Sequence, residues 1–480
     1  MVSVESRWPS LGTHEKYLSS LRRTKASIHN TILPDFEMRN YTQTLDHFNF
    51  GPNSYDTFLQ RYAINFKYWG GANTSSPIFV YIGDEGKLVI DKFTTDFLVT
   101  KAPHFKSLLV FIEHRYYGQS NPFGSMEEAY KNSSTLQYLS SEQALADCAQ
   151  LITDLKKNLS AENSPVIAVG GSYGGMLAAW LRLKYPHITI GALASSAPIL
   201  YFDDITAHNG YCSVVSRDFR ESSESCYRTI KNSWHEIKKT ATQYEGLTAL
   251  SQMFNTCRPL TSVEELTDFL EQIYFVKAQY DTPFYNGVNF LCEAIDKDPH
   301  EIDPLRRIAS GFKAINGISM CLKVWSVEEM NENDRLFGWR WQACTEMVMP
   351  IDCTGKEQMF EESPFNLTDY MSRCKTLFNV LPRPHWITTE YDGRNIKEVL
   401  KDFGSNIIFS NGLRDPYSSG GVLQNISSTI VAVTTTKGSH CLDIAESEVS
   451  DPDWLISQRN MEVQILDSWI AKYNSQNYKS

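Results

Sequence analysis

Paired cysteines spaced Cys-x-x-Cys are missing from this chain, as are long apolar runs, basic stripes, internal repeats and low-complexity tracts. Each absence removes a class of function. Without Cys-x-x-Cys there is neither a zinc-ribbon spacing nor a thioredoxin-like redox motif. Without a run of about 20 apolar residues, no segment reads as a membrane-spanning helix. Lys and Arg number 45 against 56 Asp and Glu, a net charge of −11, and no local basic cluster offsets it. That balance argues against nucleic acid as a partner. The opening MVSVESRWPSLGTHEKY has no basic start followed by an apolar stretch, so no secretory signal peptide is visible there.

What is present points to an oxidising lumen all the same. Of 10 cysteines, Cys212, Cys226, Cys257, Cys292, Cys321, Cys344, Cys353 and Cys374 fall in one middle stretch, with only Cys148 and Cys441 outside it. Clustering of that kind fits disulfides stapling one part of the fold. Six glycosylation sequons, at Asn40, Asn73, Asn132, Asn158, Asn366 and Asn425, point the same way. The expected location is a lysosome or vacuole, or the outside of the cell.

The 480 residues are 42% apolar and 21% charged, enough for one large core or two domains. Residues 1–35 are polar and irregular and read as a tail, with one short amphipathic piece around Tyr17–Arg22. TQTLDHFNF and TFLQRYAINFKYW alternate like antiparallel strands. The apolar runs PIFVYIG, SLLVFIEHRYYG, SPVIAVGG and IGALASSAP follow, interleaved with the helical patterns of residues 140–159 and 175–186. Ser140 supplies N-cap character to the first of these. Apolar strands alternating with helices predict a mostly parallel α/β sheet with helices on both faces. Residues 36–204 are the first part of this core. Residues 205–385 hold long amphipathic patterns and few strand signals, and read as a mainly helical cap insertion. Residues 386–480 complete the core with SNIIFSNG, STIVAVTTTKGSH and a closing helix.

Between SPVIAV and the helix GMLAAW lies Gly170-Gly171-Ser172-Tyr173-Gly174. This Gly-x-Ser-x-Gly string sits where a nucleophile elbow must sit, between strand and helix. A turn that tight excludes neighbouring side chains, lifts the Ser172 hydroxyl above the sheet and aims the first helical N–H groups at a developing oxyanion. A serine needs a base, and the base needs an acid to orient it. In this strand order the acid and then the histidine follow the serine. His187, His208, His235 and His300 lie in or near the insertion, and His385 precedes the first returning strand. His440 alone follows both. Asp415 is the single acidic residue in SNGLRDPYSSGG, the loop after the strand before it. Ser172, Asp415 and His440 are therefore the candidate triad. The N–H of Tyr173, with one from Gly83, Asp84 or Glu85 in VYIGDEGKL, is the candidate oxyanion hole.

Several stretches together, GGSYGGMLAAWLRLKYP, EHRYYGQS, LDHFNF, GWRWQACTEM and NGLRDPYS, resemble the serine peptidase family that includes lysosomal Pro-X carboxypeptidase and dipeptidyl peptidase II. The resemblance runs from about residue 36 to 475. It implies an α/β-hydrolase core with a disulfide-bearing helical cap, and cleavage beside proline. It places Ser172, Asp415 and His440 on the family's triad, and Trp339, Trp341, Gln342, Thr345 and Glu346 on the cap segment that lines the substrate pocket. An aromatic wall suits the flat proline ring. Family-like disulfides would join Cys226–Cys292, Cys257–Cys321 and Cys344–Cys374. Glu85 and Glu346 would anchor a peptide amine or hydrogen-bond within the cap.

Three positions depart from the family's pattern: Trp341 stands where Tyr is frequent, Asp84 where Asn is frequent, and Cys441 where carboxypeptidase members carry a second histidine. The expected activity is a Pro-X carboxypeptidase acting through an acyl-enzyme. A dipeptidyl aminopeptidase releasing X-Pro is the first alternative. The triad alone would also suit a lipase or esterase, which the Trp-rich cap segment argues against. From another class, an inactive hydrolase fold could serve as a binding protein. The expected partners are proline-containing peptides. No metal or organic cofactor is called for, and the sequence leaves room for a homodimer.

Overall fold

The computed structural model describes residues 35–51, 55–90, 92–298, 300–316, 320–324, 334–391 and 395–477. The irregular tail expected over 1–35, with its amphipathic piece, lies outside these residues apart from Asp35. Among the described residues no helix is long and apolar enough to cross a membrane.

Eight strands form one sheet: β1 Glu37–Thr44, β2 Thr57–Asn65, β3 Ile78–Ile82, β4 Leu108–Ile112, β5 Val166–Gly171, β6 Gly191–Ser195, β7 Ile407–Gly412 and β8 Ile430–Thr435. Their spatial order is β1-β2-β4-β3-β5-β6-β7-β8. The alternating β1 and β2 pair antiparallel, with Glu37 opposite Ile64 and Thr44 opposite Thr57, and β2 runs antiparallel to β4. The remaining pairs are parallel, so this is the expected α/β-hydrolase type of sheet.

The central strands are apolar at nearly every position because both faces are covered. Ile78, Val80 and Ile82 of β3 point toward α2 (Ser141–Asn158) and α3 (Ser172–Lys184), where they join Leu151, Met176 and Leu177. Phe79 faces the other way, onto a second core with Phe97 and Phe105 of α1 (Lys92–Phe105) and Leu466 and Trp469 of α12 (Asp453–Asn477). Ser140 caps α2 as its sequence suggests, accepting from the Gln143 N–H.

Among the described residues between β6 and β7 the regular elements are helices, chief among them α4 Gly210–Ser222, α5 Glu224–Ala241, α6 Gly246–Phe254, α7 Val263–Gln279, α8 Gly287–Ile295, α9 Pro304–Asn316, α10 Asp334–Thr345 and α11 Leu367–Phe378. The three disulfides implied by the family resemblance are formed. A fourth, Cys212–Cys353, joins residues 141 positions apart. Each such closure stabilises by about 2–4 kcal/mol, largely by restricting the unfolded chain. Cys148 and Cys441 are free thiols. All six sequon asparagines are exposed. Asn132 and Asn366 cap helices with their side-chain oxygens.

The loop after β4 is fixed by buried charge. Arg115 is fully buried, with Nε donating to Asp147 Oδ2 at 2.7 Å and Nη2 to Oδ1 at 2.5 Å. Its remaining protons go to the carbonyls of Thr44, Leu45 and Tyr138, and His47 also reaches Asp147 at 2.7 Å. One ion pair thus ties the end of β1 and the 113–117 loop to α2. Asp147→Ala, which strands the guanidinium, is expected to lower stability by about 3–5 kcal/mol. Urea unfolding against wild type checks it, and a loss under about 1 kcal/mol would show that the carbonyls suffice.

Candidate active site

The four glycines around Ser172 have steric causes. A Cβ on Gly170 would lie 2.2 Å from the Gly174 carbonyl oxygen, inside the turn itself. One on Gly174 would meet the Ile82 carbonyl oxygen at 2.6 Å, because the loop after β3 lies over the start of α3. Ser172 itself takes φ +57°, the left-handed region that non-glycine residues rarely occupy. That conformation costs on the order of 1–3 kcal/mol and persists only where packing over-determines it.

Asp415 closes the end of β7. It is fully buried; Oδ1 accepts the Tyr417 N–H at 3.0 Å and Oδ2 meets His440 Nδ1 at 2.7 Å. The other imidazole nitrogen, Nε2, and the Ser172 hydroxyl are both buried without a hydrogen-bond partner among the described residues. Their loops touch: a Cβ on Gly171 would sit 2.8 Å from Cys441 Sγ. Ser172 and His440 thus follow and precede residues in contact, with the acid on the far side of the ring. Burial, the largest single influence, disfavours the imidazolium, but the Asp415 carboxylate and Cys441 together outweigh it, and His440 is raised well above its ordinary value.

Cys441 takes φ +53°, and its N–H donates to Ser196 Oγ at 2.9 Å. On the other side, the His440 N–H donates to the Gln279 carbonyl at 2.9 Å, so α7 of the insertion reaches the histidine loop. The Tyr280 ring stands edge-on to the imidazole with centroids 5.7 Å apart, and Tyr417 approaches it at the same distance.

The oxyanion candidates divide. Tyr173 opens α3, where helical N–H groups have no partner within the helix. Asp84 N lies 3.6 Å from the Cβ position of Gly174, against that helix start. Gly83 is a correction: its N–H donates to the Ile112 carbonyl at 3.0 Å, because the sheet ladder continues one residue past β3. It is committed to the fold.

The proposed pocket residues divide too. The Trp339 ring packs on the Tyr173 ring with centroids 5.4 Å apart. Trp341, two residues along α10, points instead into a separate core with Tyr116, Tyr370 and Phe378. Thr345 turns its hydroxyl back to the Trp341 carbonyl at 2.9 Å, a bond within its own helix. Gln342 Nε2 donates to the Tyr173 hydroxyl at 2.8 Å and to Glu346 Oε1 at 3.0 Å, while its Oε1 accepts from Tyr117 at 2.6 Å. His114 Nε2 meets the same Tyr173 hydroxyl at 3.1 Å. Glu346 takes the Ser141 N–H at the start of α2 and the Ser141 hydroxyl at 2.7 Å. Glu85 is buried beside Tyr173. Of the two acids read as amine anchors, Glu346 is thus bound inside the cap–core junction. Its carboxyl is pushed up to about 8 by burial and then by the Glu142 carboxylate.

The sequence assigns no role to His114, Ser196, Gln279 or Tyr280, although His114 lies within EHRYYGQS and Ser196 within IGALASSAP. None lies in a motif that names its role. Only the nearness of Gln279 and Tyr280 to a helix end could have flagged them.

Residues 43–462 match the serine carboxypeptidase S28 family. Human lysosomal Pro-X carboxypeptidase is 39% identical over 92% of this chain and 90% of its own length. A Caenorhabditis elegans relative, prolyl carboxy peptidase like protein 5, is 31% identical over 86% of each chain. Human thymus-specific serine protease is 30% identical over 89% of this chain and 85% of its own.

Glu346 fixes a sign for pH. Its folded pKa is raised, so its contribution to stability is complete below the ordinary carboxyl range near about 4.3 and is lost as pH rises toward about 8. Asp443 and Glu462, buried under β6 and β7 and also raised, act in the same direction. Thermal unfolding is expected to occur at higher temperature at pH 5 than at pH 8. Glu346→Gln, which keeps an acceptor for Ser141, should narrow that difference by a few degrees, and an unchanged difference would refute the assignment.

Proposed function

The chain belongs to the serine carboxypeptidase S28 family, and on that premise we propose that it is a Pro-X carboxypeptidase, releasing a C-terminal residue that follows proline. The observation that carries this reading is the buried Asp415–His440 pair facing the strained Ser172 turn. Ser172 Oγ attacks the prolyl carbonyl while His440 Nε2 takes its proton. Asp415 holds Nδ1–H and balances the imidazolium. The N–H groups of Tyr173 and Asp84 receive the oxyanion. His440 then returns the proton to the departing amine, and water, activated by the same imidazole, hydrolyses the acyl-enzyme.

Trp339, fully buried, packs on the Tyr173 ring next to Ser172 and gives a proline-binding site here an aromatic backing. The engagement of Glu346 with Ser141 and Gln342 supports the carboxypeptidase over the X-Pro aminopeptidase, since a carboxyl so occupied is a poor anchor for a peptide amine. Four disulfides and six exposed sequons support residence in an oxidising lumen, and buried acids that favour low pH support a lysosomal one.

Two peptides test the choice of terminus, each assayed from pH 5 to pH 8 because the raised His440 must be neutral to act as the base. One is blocked at its N-terminus with proline penultimate to a free carboxylate; the other has a free amine, proline second and a blocked C-terminus. Cleavage of the first alone is expected, and cleavage of the second alone would overturn the assignment. Ser172→Ala should abolish turnover and phosphonate labelling. Asp415→Asn should lower kcat by about 10³–10⁴ with little change in KM.

A further inference from the structure

The helical insertion grips both loops that carry the acid and the base, at one short segment. Helix α7 ends at Gln279, and Gln279, Tyr280 and Asp281 make contacts with the loops that carry His440 and Asp415. The Gln279 carbonyl accepts the His440 N–H at 2.9 Å. Its own side chain is fully buried and satisfied, taking the Tyr211 hydroxyl at 3.2 Å and donating to the Tyr280 hydroxyl at 2.9 Å. That second bond holds the Tyr280 ring edge-on to the imidazole.

Asp281 acts on the neighbouring loop. Its Oδ2 meets Arg414 Nη2 at 3.2 Å, and Arg414 immediately precedes Asp415. The other end of the guanidinium lies 3.3 Å from Glu221 and 3.9 Å from Asp218, both on α4. Arg217 lies 3.5 Å from Asp218 and also donates to the Leu413 carbonyl. Asp218 and Asp281 are buried where Glu221 is exposed. Burial raises both acids, Asp218 to about 7, with Arg414 opposing it. Arg414 N–H donates to the Gly438 carbonyl at 3.0 Å, which links the acid loop to the histidine loop. The second oxygen of Asp281 accepts the Val288 N–H at 3.1 Å at the start of α8, so the residue is itself anchored in the insertion.

We propose that Asp281, through Arg414, and Gln279, through its carbonyl and Tyr280, are positioning residues that set the Asp415–His440 geometry, so that the cap is part of the acid–base apparatus as well as a cover for the substrate. The inference rests on the assignment of Ser172, Asp415 and His440 as the triad. Its physical basis is that a misplacement of a catalytic group by about 1 Å can cost up to about 100-fold in rate. A guanidinium shared among two acids of α4 and one from the segment after α7 resists such movement better than a loop alone.

Asp281→Asn tests this, because it keeps an oxygen for the Val288 N–H and loses only the charge facing Arg414. The expected result is a fall of about 10-fold in kcat with KM unchanged. Arg414→Gln is expected to do the same, and the double variant to be no worse than either single one. The acidic limb of the kcat–pH profile separates positioning from charge at a distance. A loosened Asp415–His440 bond lowers the histidine's pKa in both variants, moving the limb to lower pH in both. Through-space electrostatics would move it down for Asp281→Asn but up for Arg414→Gln. Opposite shifts, additive losses, or a change confined to KM would each overturn the proposal. Ser172→Ala is measured alongside: retained activity there would topple the triad assignment. A dead Ser172→Ala with unaffected Asp281→Asn and Arg414→Gln would topple the positioning proposal alone.

Discussion

The left-handed backbone at Ser172 is the constraint on which the remaining architecture turns. It is an unfavourable conformation held in place by close contacts among carbonyls, strand ends and helix start, and it exists only while β3, β5 and β6 keep their spacing. Glycine at 170, 174 and 175 lets those backbones approach closely: a Cβ at 175 would come within 2.8 Å of the Ser195 carbonyl oxygen. The continuous apolar strands supply the rigidity that the turn requires, since burial on both faces leaves them little room to shift. Stability of the core and reactivity of the serine are in this sense the same requirement.

Around that turn, the protein uses buried polar groups to join parts that apolar packing alone would leave free to slide. Tyr173 follows the serine, and its hydroxyl is held by Gln342 from α10 and His114 from the loop after β4. That loop is locked by Arg115 on Asp147, and Gln342 leads through Glu346 to the start of α2. Burying this many polar groups is unfavourable unless each finds partners. The return is directional registry between insertion and core, which dispersion forces do not supply.

The sequence made the fold legible where physics acts locally. Strand and helix periods located the sheet, and the glycine-bracketed serine marked the elbow. Chain order singled out His440, and Asp415 was the single acidic residue in the loop where the acid was expected. The sequence was silent where partners are distant in the chain. Gly83 looks like a loop residue until β4 is seen beside it, and Thr345 looks like a pocket residue until its helix is seen to claim its hydroxyl. Trp339 and Trp341, two positions apart on one helix, face opposite directions, so one meets Tyr173 and the other an interior cluster. The Cys212–Cys353 bridge had no spacing to announce it. Gln279 and Asp281 carry no motif at all, because their role lies in what the end of a helix happens to face.

The strand order also schedules the appearance of reactivity during synthesis. The serine and its turn are complete once β6 has been made, whereas the acid and the histidine come only with β7 and β8, after the entire disulfide-bonded insertion. A ribosome-bound chain can therefore shape the elbow and oxidise the insertion while still lacking a base. The nucleophile becomes competent only when the last two parallel strands dock at the edge of the sheet.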